Sequence, residues 1–144
     1  MKRILISLVG AAMAFSATAQ EQTDYFGVAI GAPGMLNLVY KSDAHPFQAS
    51  AGYLDRDIWG AEVGYQFYKD KGSTLSSAQV IAGHMRLDLF DFFNDGHIEW
   101  NYIGVSTTFK TGGFYFEPSV VIGDDDIASS NPAFWFQAGY LFSF

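Results

Sequence analysis

The chain has 144 residues and a formal net charge of −7, and 17% of its side chains are aromatic while only 16% are charged. The acidic balance argues against nucleic acid as a partner and against a polybasic attachment to a membrane surface. The aromatic content is too high for a disordered segment, and the charged content is low for an ordinary soluble domain.

Residues 1–19, MKRILISLVGAAMAFSATA, have the order of a secretory signal peptide. Lys2 and Arg3 begin it, an apolar stretch over 4–15 follows, and Ala17-Thr18-Ala19 resembles a cleavage site. The apolar stretch is shorter than the roughly 20 residues that a membrane-spanning helix needs. The chain has no cysteine, which argues against a lipoprotein signal and excludes disulfides. We therefore expect cleavage after residue 19 and one domain over 20–144, whose 6 basic and 15 acidic side chains give a formal charge of −9.

After residue 19, apolar residues alternate with polar or small ones in eight segments, and no helical period competes with this pattern. Gly, Pro, Asp, Asn and Ser separate the segments, which lie at residues 25–32, 35–40, 47–53, 59–68, 81–89, 102–109, 114–122 and 132–144. A period of two bounded by turn residues predicts strands. In the fifth and least regular segment, Ile81 and Met85 are assigned to the apolar face, and His84 and Arg86 to the polar face.

The direction in which the apolar face points separates two fold classes. A soluble lipocalin or sandwich buries this face, whereas a barrel that spans a bilayer turns it toward lipid. The polar face is poor in Lys and Glu and rich in small residues, and aromatic residues gather near the segment ends, which favours the second class. We therefore predict an all-β fold, an eight-stranded antiparallel up-and-down transmembrane β-barrel with short loops. Because hydrocarbon offers no hydrogen-bond partner, the last strand must pair with the first.

The signal peptide, the eight segments and the ending GYLFSF resemble small Gram-negative outer-membrane β-barrel proteins, the class of the OmpA transmembrane domain and OmpX. In that family the terminal aromatic residues, here Tyr140, Phe142 and Phe144, form the signal that the barrel-assembly machinery reads. The resemblance implies export to the outer membrane, periplasmic chaperones as transient partners, and membrane lipids with lipopolysaccharide as lasting neighbours. It also implies periplasmic chain ends, so that the turns near residues 33, 56, 92 and 127 face outward and those near 44, 71 and 112 face the periplasm.

The polar face supplies the predicted interior. Its candidate network consists of Glu62, Gln66, His84, Arg86 and Glu117. Other interior candidates are Asn37, Gln48, Tyr115 and Gln137. Because an unpaired charge in a narrow interior is costly, we expect Arg86 to lie near Glu62 or Glu117. The network then either fills the barrel as a structural plug or forms a gate or proton path.

No residue pattern indicates a catalytic site or a cofactor. The lipid A deacylases, which share this fold, carry a His-x-Ser pair, and none of the three histidines here begins one. The run Asp124-Asp125-Asp126 is a weak candidate for Ca²⁺ or Mg²⁺, but a solvated acidic turn explains it as well. The leading hypothesis is a non-enzymatic barrel with an envelope or structural role. The alternatives are a narrow channel or small-ligand carrier and, with less support, a lipid A-modifying enzyme.

Overall fold

The protein forms one closed barrel of eight antiparallel strands in up-and-down order. The computed structural model describes residues 23–56, 58–88, 97–124 and 132–144, so the expected signal peptide lies outside the described residues. The strands are β1 (Asp24–Gly31), β2 (Met35–Ser42), β3 (Phe47–Asp55), β4 (Ile58–Lys69), β5 (Leu75–Asp88), β6 (His97–Thr111), β7 (Phe114–Gly123) and β8 (Ala133–Ser143). Connections of two to nine residues join them. The predicted all-β fold with eight strands is therefore confirmed. In the described part of the chain no helix is long and apolar enough to cross a membrane.

The last strand closes the barrel by pairing with the first. Phe142 lies opposite Phe26 and Tyr140 opposite Val28 in the β1–β8 register. The Phe144 amide continues this pairing beyond the strand and donates to the Asp24 carbonyl at 3.3 Å. Closure gives β1 and β8 a pairing partner on both sides, and it explains why the aromatic C-terminal segment is ordered in a strand rather than frayed.

Seven strands carry their apolar side chains on the face that the sequence pattern predicts. In β4, for example, Val63 and Phe67 point outward while Glu62 and Gln66 lie on the inner face. The fifth strand is the exception, because its assignment is reversed: Ile81 and Met85 are each only 1% exposed inside the barrel.

The reversal in β5 has a packing cause. Around residues 80–82 both faces of this strand are apolar, with Val80 and Ala82 on the outer face and Ile81 on the inner one. The larger side chains on the inner face pack with residues of other strands to form an apolar cluster, whose buried members are Ile81, Met85, Trp100, Tyr102 and Val121. The strand starts at Leu75 and has a register irregularity between Leu75 and Ser77. The predicted segment begins only at residue 81, so it omits the first six residues of the strand. The alternation that remains is too short to identify the inner face.

Pro118 lies within β7, although proline cannot donate a ladder hydrogen bond. On the β8 side it pairs in register with Phe136. On the β6 side, Ser119 pairs with Ser106 and Phe116 pairs with Phe109. The pairing between β6 and β7 is interrupted between these two pairs, where Pro118 lies. The missing N–H is thus accommodated where the β6–β7 ladder is interrupted.

The barrel has two distinguishable ends. The chain-terminus end carries Thr23, Phe144 and the connections 43–46, 70–74 and 112–113. The far end carries the connection 32–34 and the turn residue Arg56, and the predicted turns near residues 92 and 127 lie outside the described residues. At the chain-terminus end, Gly112 takes a φ of +60° in the two-residue turn between β6 and β7, a conformation that side chains disfavour and glycine adopts readily.

Candidate functional site in the barrel interior

The barrel interior contains a layer of charged and polar side chains. Lys41 of β2 and Glu117 of β7 form an ion pair, and their side chains are 7% and 4% exposed. Glu117 also accepts hydrogen bonds from Gln48 Nε2 at 3.0 Å, Ser106 Oγ at 2.8 Å and Thr108 Oγ1 at 2.9 Å. We call these five residues the ion-pair layer. Its hydrogen bonds let two charges lie inside the barrel, since a buried charge is tolerated when it is paired and hydrogen-bonded.

Lys41 is the cation that sequence reasoning missed. The sequence predicts Arg86 near Glu62 or Glu117, but the cation that pairs with Glu117 is Lys41, which also donates to Gln48 Oε1 at 2.7 Å. The alternation in β2 does indicate that Lys41 points inward, because Asn37, Val39 and Lys41 occupy every second position and share one face of the strand. The predicted segment stopped at residue 40, one position short of the lysine.

Three of the five residues of the candidate network lie on the inner face, namely Glu62, Gln66 and Glu117. The other predicted interior residues are buried there as well, namely Asn37, Gln48, Tyr115 and Gln137. The Tyr102 hydroxyl donates to Glu62 Oε2 at 2.8 Å, next to the apolar cluster. The Gln66 amide reaches the ion-pair layer through a long contact of 3.4 Å from its Nε2 to Gln48 Oε1. The interior therefore holds a second carboxylate besides Glu117, and this one has a phenol hydroxyl as its direct partner.

His84 and Arg86 are not part of the interior. In register they lie opposite Ala61 and Trp59 of β4, on the outer face of the barrel. His84 contacts Asn101 Oδ1 through Nδ1 at 2.8 Å, and its ring stands 5.0 Å from that of Trp59. The prediction that placed these two side chains in the interior network is wrong because it followed the reversed face of β5.

The turn between β1 and β2 folds inward and closes the far end of the interior. Pro33 is almost fully buried, and a Cβ placed on Gly60 would lie 2.7 Å from its Cβ. A Cβ on Gly52 would lie 2.7 Å from Gly34 Cα, so only glycine allows this approach. The buried Asn37 anchors the turn, since its Oδ1 accepts from the Gly34 amide at 2.9 Å.

The apolar cluster fills the remaining far half of the interior. Trp100 is its largest buried member, and its ring centroid lies 5.4 Å from that of Tyr102 and 5.6 Å from that of Trp135. The inward turn, the apolar cluster and the ion-pair layer thus follow one another inside the described part of the barrel.

The chain-terminus end holds an open cavity of about 510 Å³, which we call the vestibule. Its floor contains Lys41 and Thr108 of the ion-pair layer, and its walls include Lys69, Lys71 and Lys110. Lys69 Nζ donates to the carbonyls of Ser42 and His45. The vestibule thus gathers lysine side chains at one mouth of a barrel whose chain is acidic overall.

The acidic run after β7 is described only at its first residue, since Asp125 and Asp126 lie outside the described residues. Asp124 accepts hydrogen bonds from Asn101 Nδ2 at 2.7 Å and from the Asn101 amide at 3.0 Å. These two hydrogen bonds lower the pKa of the exposed Asp124 carboxyl from its ordinary value, and the bond from the Asn101 side chain has the larger effect. Within the described ranges no group of three or more histidine or acidic side chains is arranged to hold a metal ion.

Comparisons of the chain with protein-family models, with characterised proteins and with solved structures gave no significant match.

Proposed function

We propose that the chain is an integral outer-membrane β-barrel of the small eight-stranded class, with a structural, non-enzymatic role in the cell envelope. The observation that carries this proposal is the inverted distribution of side chains across the barrel wall. Charged and amide groups such as Lys41, Glu117 and Gln79 are buried inside, whereas large apolar side chains cover the outside. A bilayer-spanning barrel needs this arrangement.

Apolar side chains lie exposed on the outer face of every strand. One example from each strand, in chain order, is Val28, Leu38, Phe47, Val63, Val80, Ile103, Phe116 and Phe136. Monomeric soluble proteins rarely expose a contiguous apolar patch larger than about 300–600 Å². An apolar coat around the whole wall is better explained by acyl chains than by water.

The outer face also changes character along the barrel axis, as a bilayer boundary requires. Near the chain-terminus end, the Tyr140 ring lies 4.9 Å from those of Phe114 and Phe142, which suits an interfacial aromatic girdle. Toward the far end of β5 and β6 the outer face turns polar at His84 and Asn101. By the family resemblance, the chain-terminus end faces the periplasm and the far end faces outward.

The filled interior favours a structural protein over a narrow channel. An eight-stranded barrel has room only for its own side chains or one small ligand. Here the inward turn, the apolar cluster and the ion-pair layer occupy that room.

The proposed partners follow from location and assembly. Membrane lipids and lipopolysaccharide would surround the apolar wall, and periplasmic chaperones with the barrel-assembly machinery would bind the chain before it folds. Tyr140, Phe142 and Phe144 are the residues that the resemblance assigns to assembly. All three are exposed on the outside of the closed barrel.

The test is to express the full chain in a Gram-negative host and fractionate the envelope. We expect it in the outer membrane, resistant to alkaline extraction, with a gel mobility that shifts on heating and a mass that matches cleavage after residue 19. Recovery as a soluble periplasmic protein without detergent would overturn the proposal. Discrete conductance steps in planar bilayers would favour the channel alternative, and an altered lipid A acyl pattern in the expressing host would favour an enzyme.

A further inference from the structure

The vestibule gathers positive charge that the rest of the chain does not explain. The sequence contains six basic side chains after residue 19, and four of them, Lys41, Lys69, Lys71 and Lys110, line this one cavity. Two carboxylates, Asp43 and Asp70, share the lining. The cavity lining is therefore net positive, although the domain as a whole has a formal charge of −9.

The four lysines differ in how far their charge is already compensated. Lys41 is paired with Glu117, and Lys71 lies 3.5 Å from Asp43 while its side chain remains largely exposed. Lys69 and Lys110 have neutral partners instead. Lys69 Nζ donates to two main-chain carbonyls, and Lys110 Nζ stands 3.5 Å above the centre of the Tyr25 ring. Neither contact places a carboxylate against the ammonium group, and the Asp43 carboxylate attracts both ammonium groups from farther away.

Both ammonium groups retain donors for a further acceptor. An ammonium group has three N–H bonds, and Lys69 uses two of them on the Ser42 and His45 carbonyls. The cation–π contact of Lys110 with Tyr25 holds the group in position without requiring its N–H bonds. Thr23 and Ser73 add hydroxyl groups to the lining.

The cavity has the size and the access of a site for a small soluble ligand. Its volume of about 510 Å³ lies within the range of about 300–1,000 Å³ that small-molecule sites have. It is lined by inner-face residues such as Gln66 and Thr108, and the ion-pair layer closes its floor. The ligand must therefore enter along the barrel axis from water and leave by the same mouth.

We propose that the vestibule binds a small, soluble phosphate-bearing anion, which Lys69 and Lys110 hold above the ion-pair layer. A compact ammonium group is a common phosphate partner, and two of them match the double negative charge of a phosphate monoester. The site needs the closed barrel but not its membrane location, so its test is independent of the proposed envelope role.

The experiment uses protein purified from the exporting host in a nonionic detergent, titrated with inorganic phosphate and followed by ³¹P NMR and calorimetry. Saturable binding is expected for the unmodified protein. In Lys110→Gln and in the double variant Lys69→Gln/Lys110→Gln, the dissociation constant should rise at least about tenfold. Lys110→Gln is the primary variant because Lys69 also fastens the 43–46 turn, and a heat-dependent gel shift verifies that each variant is folded.

Arg56→Gln is the matched control, because it removes the same charge at the opposite end of the barrel. It should leave phosphate binding unchanged. Equal weakening by Arg56→Gln would mean attraction to net charge only and would overturn the site, as would the absence of saturable binding. Binding of a phosphatidic acid mixed into the micelles, with no binding of free phosphate, would overturn the claim that the ligand is soluble.

Discussion

Lys41 and Glu117 form an ion pair through the barrel interior, although β1 and β8 separate their strands in the sheet and 76 positions separate them in sequence. Glu117 is surrounded by donors from β3 and β6, so one carboxylate ties together four strands of the barrel. The pair acts as an internal cross-brace whose strength depends on both charges being present.

Removing both charges of this pair should destabilise the barrel by less than the sum of the two single removals. Lys41→Met and Glu117→Gln should each lower the free energy of unfolding by about 3–5 kcal/mol, because each leaves an uncompensated charged partner inside. The double variant should lose less than the sum of the two. Urea titrations monitored by tryptophan fluorescence in lipid vesicles measure all three values. Additive losses would contradict direct coupling between the two side chains.

The inward turn depends on glycine at position 52. A Cβ there would lie 2.2 Å from Asn37 Oδ1, which holds the Gly34 amide, and 2.6 Å from the Leu36 carbonyl oxygen. Gly52→Ala should therefore lower the free energy of unfolding by about 1–3 kcal/mol through overpacking. Gly72→Ala is the control, since its Cβ would meet only the Asp70 side chain at 3.5 Å, and it should change stability by less than about 0.5 kcal/mol. Equal stability of the two variants would contradict the proposed packing.

A charge on the outer wall distinguishes lipid from water as the surroundings. Val63 is 60% exposed and has Ala49 and Ala82 as its cross-strand neighbours. In vesicles, Val63→Arg should lower the free energy of unfolding by about 2–4 kcal/mol, which is the cost of a charged side chain near the bilayer midplane. Thr74→Arg, in an exposed turn, should stay within about 0.5 kcal/mol of the unmodified protein. A wall that faces water would tolerate both changes equally.

The hydrogen bonds from Asn101 to Asp124 should be visible in a pH titration. They hold the pKa of the Asp124 carboxyl below its ordinary value in the folded protein. Their stabilising effect is therefore present above the unfolded pKa and is lost as the pH falls through the folded one. Asn101→Ala removes the side-chain donor and should raise the pKa of Asp124, measured from its carboxylate ¹³C shift. Thr74→Ala should leave that titration unchanged, and an unmoved midpoint in Asn101→Ala would contradict this account.

The terminal aromatic residue should matter more for assembly than an equally exposed one elsewhere in β8. Deletion of Phe144 should reduce the yield of heat-modifiable protein in the outer membrane and leave degraded or periplasmic chain. Phe134→Ala changes a side chain that is 83% exposed on the same face at the other end of the strand, and it should leave the yield close to normal. Quantitative blots of fractionated envelopes compare the two. Normal assembly without Phe144 would contradict the role that the resemblance assigns to it.

The sequence alone determined the strand number, the closure of the sheet and the orientation of seven strands. These follow from the pleat, which sends successive side chains to opposite faces, so that a period of two can be read along each segment without its neighbours. Val63 and Glu62, for instance, are assigned to opposite faces by that rule, and the structure has them so.

Only the tertiary structure decided which apolar face of β5 turns inward, which cation pairs with Glu117, and how the two ends of the interior differ. Ile81 is buried because β6 and β7 bring Trp100 and Val121 against it. The residues around Ile81 in the sequence do not predict these contacts. Lys41 meets Glu117 because the sheet closes, and closure brings together side chains that no local pattern relates. Alternation is a property of one strand, whereas pairing inside a barrel depends on the register of all eight.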